Sequence, residues 1–231
     1  MASQGAAAAK SKNEEASPSS AKKTGSGKSS ELRVPRQKRS KERVDAILQA
    51  ARELIGEKGS SGLKIQEIAS RANVTAGSMY QYFPNKNAIV QALAVEYFER
   101  FQKLISESLQ KKPESVDEAI KMLDMLFARF ISVNKEDVVL RDIWLSVSTD
   151  KSLREVDFRT SRENSALLFD AFKHLFPEDH LEDVKRYMLM IVQIAPVAIR
   201  LALSGDGSES REYIKVARRL IEVSFRDWAE A

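Results

Sequence analysis

The stretch LKIQEIASRANVTAGSMYQYFPNK, residues 63–86, decides how this chain folds. Ile65, Ile68 and Ala69 share one face of a short helix that ends at Arg71-Ala72. Asn73 follows where a tight turn between two helices requires positive φ, and asparagine is the non-glycine residue that tolerates it best. Val74 is placed to fill the corner between the helices. Thr75 suits the N-cap of the next helix, its hydroxyl accepting from a backbone N–H one turn on. Ala76, Gly77 and Ser78 are small, so the start of that helix can approach another surface closely. A helix that enters a DNA major groove has that requirement.

Outward from this stretch the pattern stays helical. Upstream, from Ser40, the residues Val44, Ile47, Leu48, Ala51, Leu54 and Ile55 recur at three- and four-residue steps and predict a first helix that stops near Gly59. Downstream, apolar stripes run over residues 87–109, 116–132, 135–149, 153–175, 181–203 and 209–228. Breaks fall at Pro84, Pro113, Pro177 and the Ser204-Gly205-Asp206-Gly207-Ser208 cluster. No stretch alternates like a strand and no repeat recurs at fixed period, so the expected class is all-α. Residues 40–90 are expected to form a three-helix helix-turn-helix DNA-binding domain, and residues 91–231 a helical domain for effector binding and dimerisation.

The ordered set Ile68-Ala69, Ala72-Asn73-Val74-Thr75, Ser78-Met79-Tyr80, Gln81-Tyr82-Phe83 and Pro84-Asn85-Lys86 resembles the DNA-binding region of the tetracycline-repressor (TetR) family of bacterial regulators. The likeness covers about fifty residues, from Ser40 to Val90, and beyond that it is one of helix pattern. Asn73 stands where the family usually has glycine, Lys64 where a threonine or serine usually caps the second helix, and Asn87 where an acid is common. The last change removes a favourable charge from the first turn of the fourth helix.

The resemblance implies roles for matching positions. Gln66, Ala76, Gly77 and Ser78 would face base edges, Gln66 able to pair with an adenine. Tyr80 would lie against the groove, and Lys64, Thr75, Tyr82 and Lys86 would hold phosphates, Lys86 aided by the positive end of its helix. Tyr80 and Phe83 can each instead be core aromatics, and for Phe83, an apolar ring before a proline, the core is the expected place.

Charge is distributed unevenly. Over its 231 residues the chain has a formal net charge of +4, but residues 1–41 hold ten cations against three anions, a net +7, so the remainder sums to −3. Residues 1–39 are poor in anything to bury and are expected to form a disordered basic arm. Arg36, Lys38, Arg39 and Lys41 would emerge beside DNA and follow its backbone. Gly25-Ser26-Gly27-Lys28-Ser29 has the end of a phosphate-binding loop, yet Lys22 stands where the pattern needs glycine and no strand precedes it.

The region after residue 90 is too long to serve only as a scaffold. Tyr187, Ile191, Ile194, Ala198 and Leu201 form one stripe on a helix that is apolar nearly all round. The last helix has apolar residues on two faces, one of them Tyr213, Val216, Leu220 and Val223. Paired with their copies, two such helices would make a four-helix dimer interface, which the resemblance also implies; a single chain's own core is the alternative cover. The family's middle helices enclose an effector pocket. Met122, Met125, Phe130, Trp144, Phe158, Phe169 and Phe172 are candidates for its lining, with Arg129 or Arg162 as an anchor for an anion. Plain core is the competing place for each. Pro196 is expected to free a backbone carbonyl in the penultimate helix and bend it.

Other classes fit poorly. With no cysteine, a disulfide scaffold, a thiolate zinc site and a cysteine nucleophile are excluded. His174 and His180 flank Pro177 without the spacing of a helical metal pair, so neither an enzyme nor a cofactor is expected. No uninterrupted apolar run reaches the roughly 18 residues of a membrane span, and no secretory signal is visible, so the expected location is cytoplasmic. The expected partners are an operator in double-stranded DNA, a second copy of the chain and an unidentified small-molecule effector, with the DNA-bound form associated with the bacterial nucleoid. The alternative is a helical ligand-binding or protein-interaction module without sequence-specific DNA binding.

Overall fold

The computed structural model describes residues 36–147 and 149–231; the basic segment expected to be disordered lies almost wholly outside them. Residues 36–231 form one compact unit. Its helices are α1 (Arg36–Lys58), α2 (Ile65–Arg71), α3 (Ala76–Tyr80), α4 (Lys86–Ser108), α5 (Val116–Glu136), α6 (Val138–Val147), α7 (Lys151–Phe172), α8 (Leu181–Ser204) and α9 (Glu209–Glu230), with 3-10 turns at Lys173–Leu175 and Glu178–His180. Among the described residues there is no strand. The first helix starts at Arg36, ahead of the expected Ser40, because arginine, glutamine and lysine are good helix formers even without an apolar stripe.

The three-helix reader is built on the corner predicted from its sequence. Asn73 has φ +52°, Val74 N–H donates to the Ala69 carbonyl (3.0 Å) and Asn73 N–H to that of Ser70 (3.2 Å). These two bonds close a Schellman turn at the end of α2. Thr75 Oγ1 then accepts from Ser78 N–H (3.1 Å) and starts α3. A helix of five residues is too short to hold itself; its hold on the core is Met79, fully buried in the hydrophobic cluster that also takes in Ile47, Ala51, Leu54, Ile68, Ile89 and Leu93. Phe83 joins the same core, as expected.

Where the pattern suggested a break near residue 133, α5 runs one turn further to Glu136. Asp137 ends it and starts α6, its Oδ1 accepting from Val139 N–H (2.9 Å) and Leu140 N–H (3.0 Å). α4 runs without a break from the reader into the C-terminal bundle, where α7, α8 and α9 pack in sequence. α8 continues through Pro196 as one helix. The segment Glu178–Ser204, with mean hydropathy 1.7, is long and apolar enough to cross a membrane by length and composition. Its apolar excess has another explanation in the fold, since one face of α8 lies in the core and the other presents Met190, Val197 and Leu201 at the surface.

Candidate DNA-binding surface and effector cavity

The turn and the first residues of α3 form an outward ridge. Thr75, Ala76 and Gly77 are exposed and Ser78 is half-buried, while Tyr80 is 52% exposed, which removes it from the core. A Cβ built on Gly77 would meet nothing within 4 Å. The protein's own packing therefore does not ask for a glycine there. Gln66 and Lys64 are exposed on α2, and Lys64 makes no side-chain hydrogen bond as its N-cap. Tyr82 is half-buried against the core.

Lys86 departs from its expected freedom. Half-buried, its Nζ donates to the Ser61 carbonyl (3.1 Å), tying α4 to the loop between α1 and α2. An ammonium has three donors, so two remain for a phosphate. Asn85, not assigned a role from the sequence, caps α4 by accepting from Ala88 N–H (2.9 Å). Lys38, Arg39 and Lys41 are exposed, as is Arg43, which the sequence reading passed over; with Arg36 they lie in the first turns of α1.

Behind the reader, the helical bundle encloses a cavity of about 450 Å³, within the range of small-molecule sites. Phe98, Phe101 and Leu104 of α4, Phe127 and Phe130 of α5, Leu140 and Trp144 of α6, Asn164 and Leu168 of α7 and Val192, Ala195 and Pro196 of α8 line it. Trp144 is held between aromatic rings, 4.8 Å from Phe98 and 5.7 Å from Phe130 by centroid. Pro196 has no N–H for the Val192 carbonyl, and both residues stand in the wall.

Of the pocket residues expected from the sequence, Arg129, Phe130 and Trp144 line the cavity and the other six do not. Met125 and Phe158 are exposed, with the Arg162 guanidinium 4.8 Å above the Phe158 ring. Met122 and Phe169 are half-buried, and Phe172 is fully buried, 5.8 Å from Phe225. Amphipathic spacing marks which residues face inward but not which inward face borders a void. Asp157, Asn164 and Ser161, polar residues in an apolar wall, were missed for the same reason.

Titration in this region follows burial. Desolvation pushes the half-buried Asp157 carboxyl up, opposed by its hydrogen bond from Gln193 and by the charge of Arg200. Tyr97 is pushed up to about 12 by burial and by its hydrogen bond to the Asp137 carboxylate.

Two physical links join cavity and reader. α4 carries Ile89 and Leu93 in the reader core and Phe98 and Phe101 in the cavity wall. α6 turns Leu140 and Trp144 toward the cavity, while Asp142 Oδ2 accepts from Ser60 N–H (2.9 Å) and Ser146 Oγ lies 3.2 Å from Ser60 Oγ. Asp142 and Ser146 are spaced i, i+4 on the polar face of α6, a visible signal whose partner was not readable.

The surface of α8 and α9 carries an apolar patch. Leu201, Tyr213, Val216, Leu220 and Val223 are exposed and Ile194 is half-buried, and they are joined by Met190 and Val197, which the sequence reading did not include. Tyr187, Ile191 and Ala198, expected in the same interface, are buried within the chain. The Tyr187 hydroxyl donates to the Ile221 carbonyl (3.1 Å) and lies 2.9 Å from Ser224 Oγ. Tyr187 thus faces α9 of its own chain and Ile191 borders the cavity, because a helix apolar all round does not reveal which neighbour covers which side.

Comparison with known proteins followed the same division. The family model for bacterial regulatory proteins of the tetR family matches residues 47–93, and a tetracyclin repressor-like C-terminal domain matches residues 114–224. The HTH-type transcriptional repressor KstR of Rhodococcus jostii is 29% identical over 150 residues, an alignment covering 46% of this chain and 71% of that protein. A TetR-family regulator from Streptomyces coelicolor has a similar fold (TM-score 0.62, 24% identity), covering 80% of this chain and 99% of that one. RolR in complex with resorcinol is also similar (TM-score 0.59, 22% identity), covering 84% and 95% respectively.

Proposed function

Since the chain belongs to the TetR family of transcriptional regulators and carries its helix-turn-helix DNA-binding domain, we propose that it is a homodimeric repressor of a palindromic operator, released by a small-molecule effector. The observation that carries this reading is the α3 ridge, where Gly77 is exposed with open space at its Cβ position and Tyr80 is exposed. A glycine in a helix costs stability, so its presence where no described residue crowds it is best explained by an outside surface. Ala76, Gly77, Ser78 and Gln66 would read base edges, while Lys64, Thr75, Tyr82, Lys86 and the cations of α1 hold phosphates. The exposed face of α8 and α9 would pair with its copy in a four-helix bundle. The KstR relative is named a repressor, which supports repression as the sign of control.

The effector would occupy the cavity, and RolR, a structural neighbour, takes resorcinol as its ligand. Two reader helices must be one helical turn of DNA apart, or a multiple, to dock together. A ligand that prefers a dimer with another spacing pulls the protein off its site. Pressure on Leu140 and Trp144 moves α6, and Asp142 passes that motion to Ser60 in the reader; α4 supplies a second path. The protein would act in the cytoplasm.

A mobility-shift titration on the DNA upstream of its own gene tests the reading. A salt-sensitive, sequence-selective shift with two-fold footprint symmetry is expected. A protein that gives no selective shift would instead be a ligand-binding or interaction module.

A further inference from the structure

The cavity wall holds polar atoms that no described residue satisfies. Trp144 Nε1 and Asn164 Oδ1 are buried, in residues more than nine-tenths buried, and neither has a hydrogen-bond partner. Both residues line the cavity, one from α6 and the other from α7. A buried donor or acceptor left unpaired costs on the order of 1–3 kcal/mol, so such pairs in one cavity point to a partner from outside. An indole N–H can only donate, so the ligand must present an acceptor to Trp144. The amide oxygen can only accept, so the ligand must also present a donor.

The charges of the wall narrow the class. Arg100, Lys103 and Arg129 are balanced by Glu107, Asp137 and Asp157. Lys103 pairs with Glu107 (3.7 Å) and the Arg100 guanidinium lies 5.6 Å from the Tyr97 ring centre. Arg129 is exposed, so it is hydrated at the margin instead of waiting in the interior. Asp157 is half-buried in the wall, and burial already disfavours its charge. An anion placed beside it would add repulsion to that cost. The rest of the wall is aromatic and aliphatic.

We propose that the effector is an uncharged, largely apolar ring compound of hydroxyl chemistry, offering an acceptor to Trp144 Nε1–H and a donor to Asn164 Oδ1. A hydroxyl is the smallest neutral group that meets both demands. This rests on the reading of the cavity as the effector site and adds the chemistry of its occupant.

Calorimetric titration at pH 7 of the full chain with 2-naphthol, naphthalene and 2-naphthoate tests it, because the three share one ring system and differ only in the polar group. Expected is binding of 2-naphthol at least fivefold tighter than naphthalene and tenfold tighter than 2-naphthoate. Trp144→Phe and Asn164→Leu should each bring the naphthol-to-naphthalene ratio towards one while naphthalene itself still binds, which also reports that the variant is folded. Tighter binding of 2-naphthoate, equal binding of all three, or no binding of 2-naphthol up to millimolar concentration would overturn the assignment. The DNA shift is measured separately without ligand: its loss alongside a clear naphthol preference removes the regulator reading and leaves the ligand class, and a good shift with naphthoate preferred does the reverse.

Discussion

Replacing Gly77 by alanine should make the protein more stable and worse at binding DNA. Gly77 is the second residue of α3, and a Cβ there would meet nothing within 4 Å, so alanine adds no clash. Alanine in a helix is favoured over glycine by about 0.5–1 kcal/mol. For a chain of this size each kcal/mol moves Tm by about 2–4 °C, so a rise of about 1–4 °C is expected in a circular-dichroism melt. At the DNA the sign reverses. In the proposed complex the methyl group would stand where backbone and base edges come closest, and a misfit at one recognised base pair costs about 1–3 kcal/mol. Fluorescence anisotropy on an operator duplex should therefore show affinity lowered by about fivefold or more, in a protein that melts later. Unchanged affinity would refute the place given to Gly77, and a lowered Tm would refute the open space around it.

Asp142→Ala leaves the Ser60 N–H without its 2.9 Å acceptor, and Ser60 is buried, so a loss of about 1–3 kcal/mol is expected in thermal denaturation. The same variant should bind ligand normally but release DNA less completely, read as anisotropy against ligand concentration. Asp157→Asn should raise Tm at neutral pH, with the gain shrinking as pH falls. The folded carboxyl is raised, so the wild-type penalty for its charge is full above that raised value, shrinks as pH falls towards the ordinary carboxyl value of the unfolded chain and is gone below it; a gain independent of pH would contradict this. Leu220→Glu places a charge in the exposed apolar face of α9 and should turn a dimer into a folded monomer by sedimentation at micromolar concentration. Deleting residues 1–35, which carry six of the chain's cations, should reduce the salt slope of DNA binding by about 0.9 for each phosphate the arm had neutralised, with operator preference unchanged.

The reader was legible almost residue by residue because its determinants are local. Asn73 in the left-handed region, Thr75 as cap and Phe83 in the core each follow from a residue and its near neighbours. The site behind it was less so. Trp144, Phe130 and Arg129 were named among the cavity residues, but Phe172 proved solid core and Phe158 surface. Met79, which anchors α3, was read only as part of a motif, though its spacing from Ile68 and Phe83 carries no periodic signal in so short a helix.

By itself, then, the sequence determined the helical class, the turn geometry of residues 63–86 and the concentration of basic charge ahead of them, since backbone preference, capping and composition act over a few residues. Only the tertiary structure decided that Tyr187, Ile191 and Ala198 are buried within their own chain, Tyr187 against α9, while Met190 and Val197 face out. It also decided that Asp142 reaches Ser60 and that Trp144 and Asn164 share one cavity. These are contacts between residues far apart in the chain, fixed by how helices with several apolar faces choose among neighbours. Periodicity reports that a face is buried, and packing alone says against what.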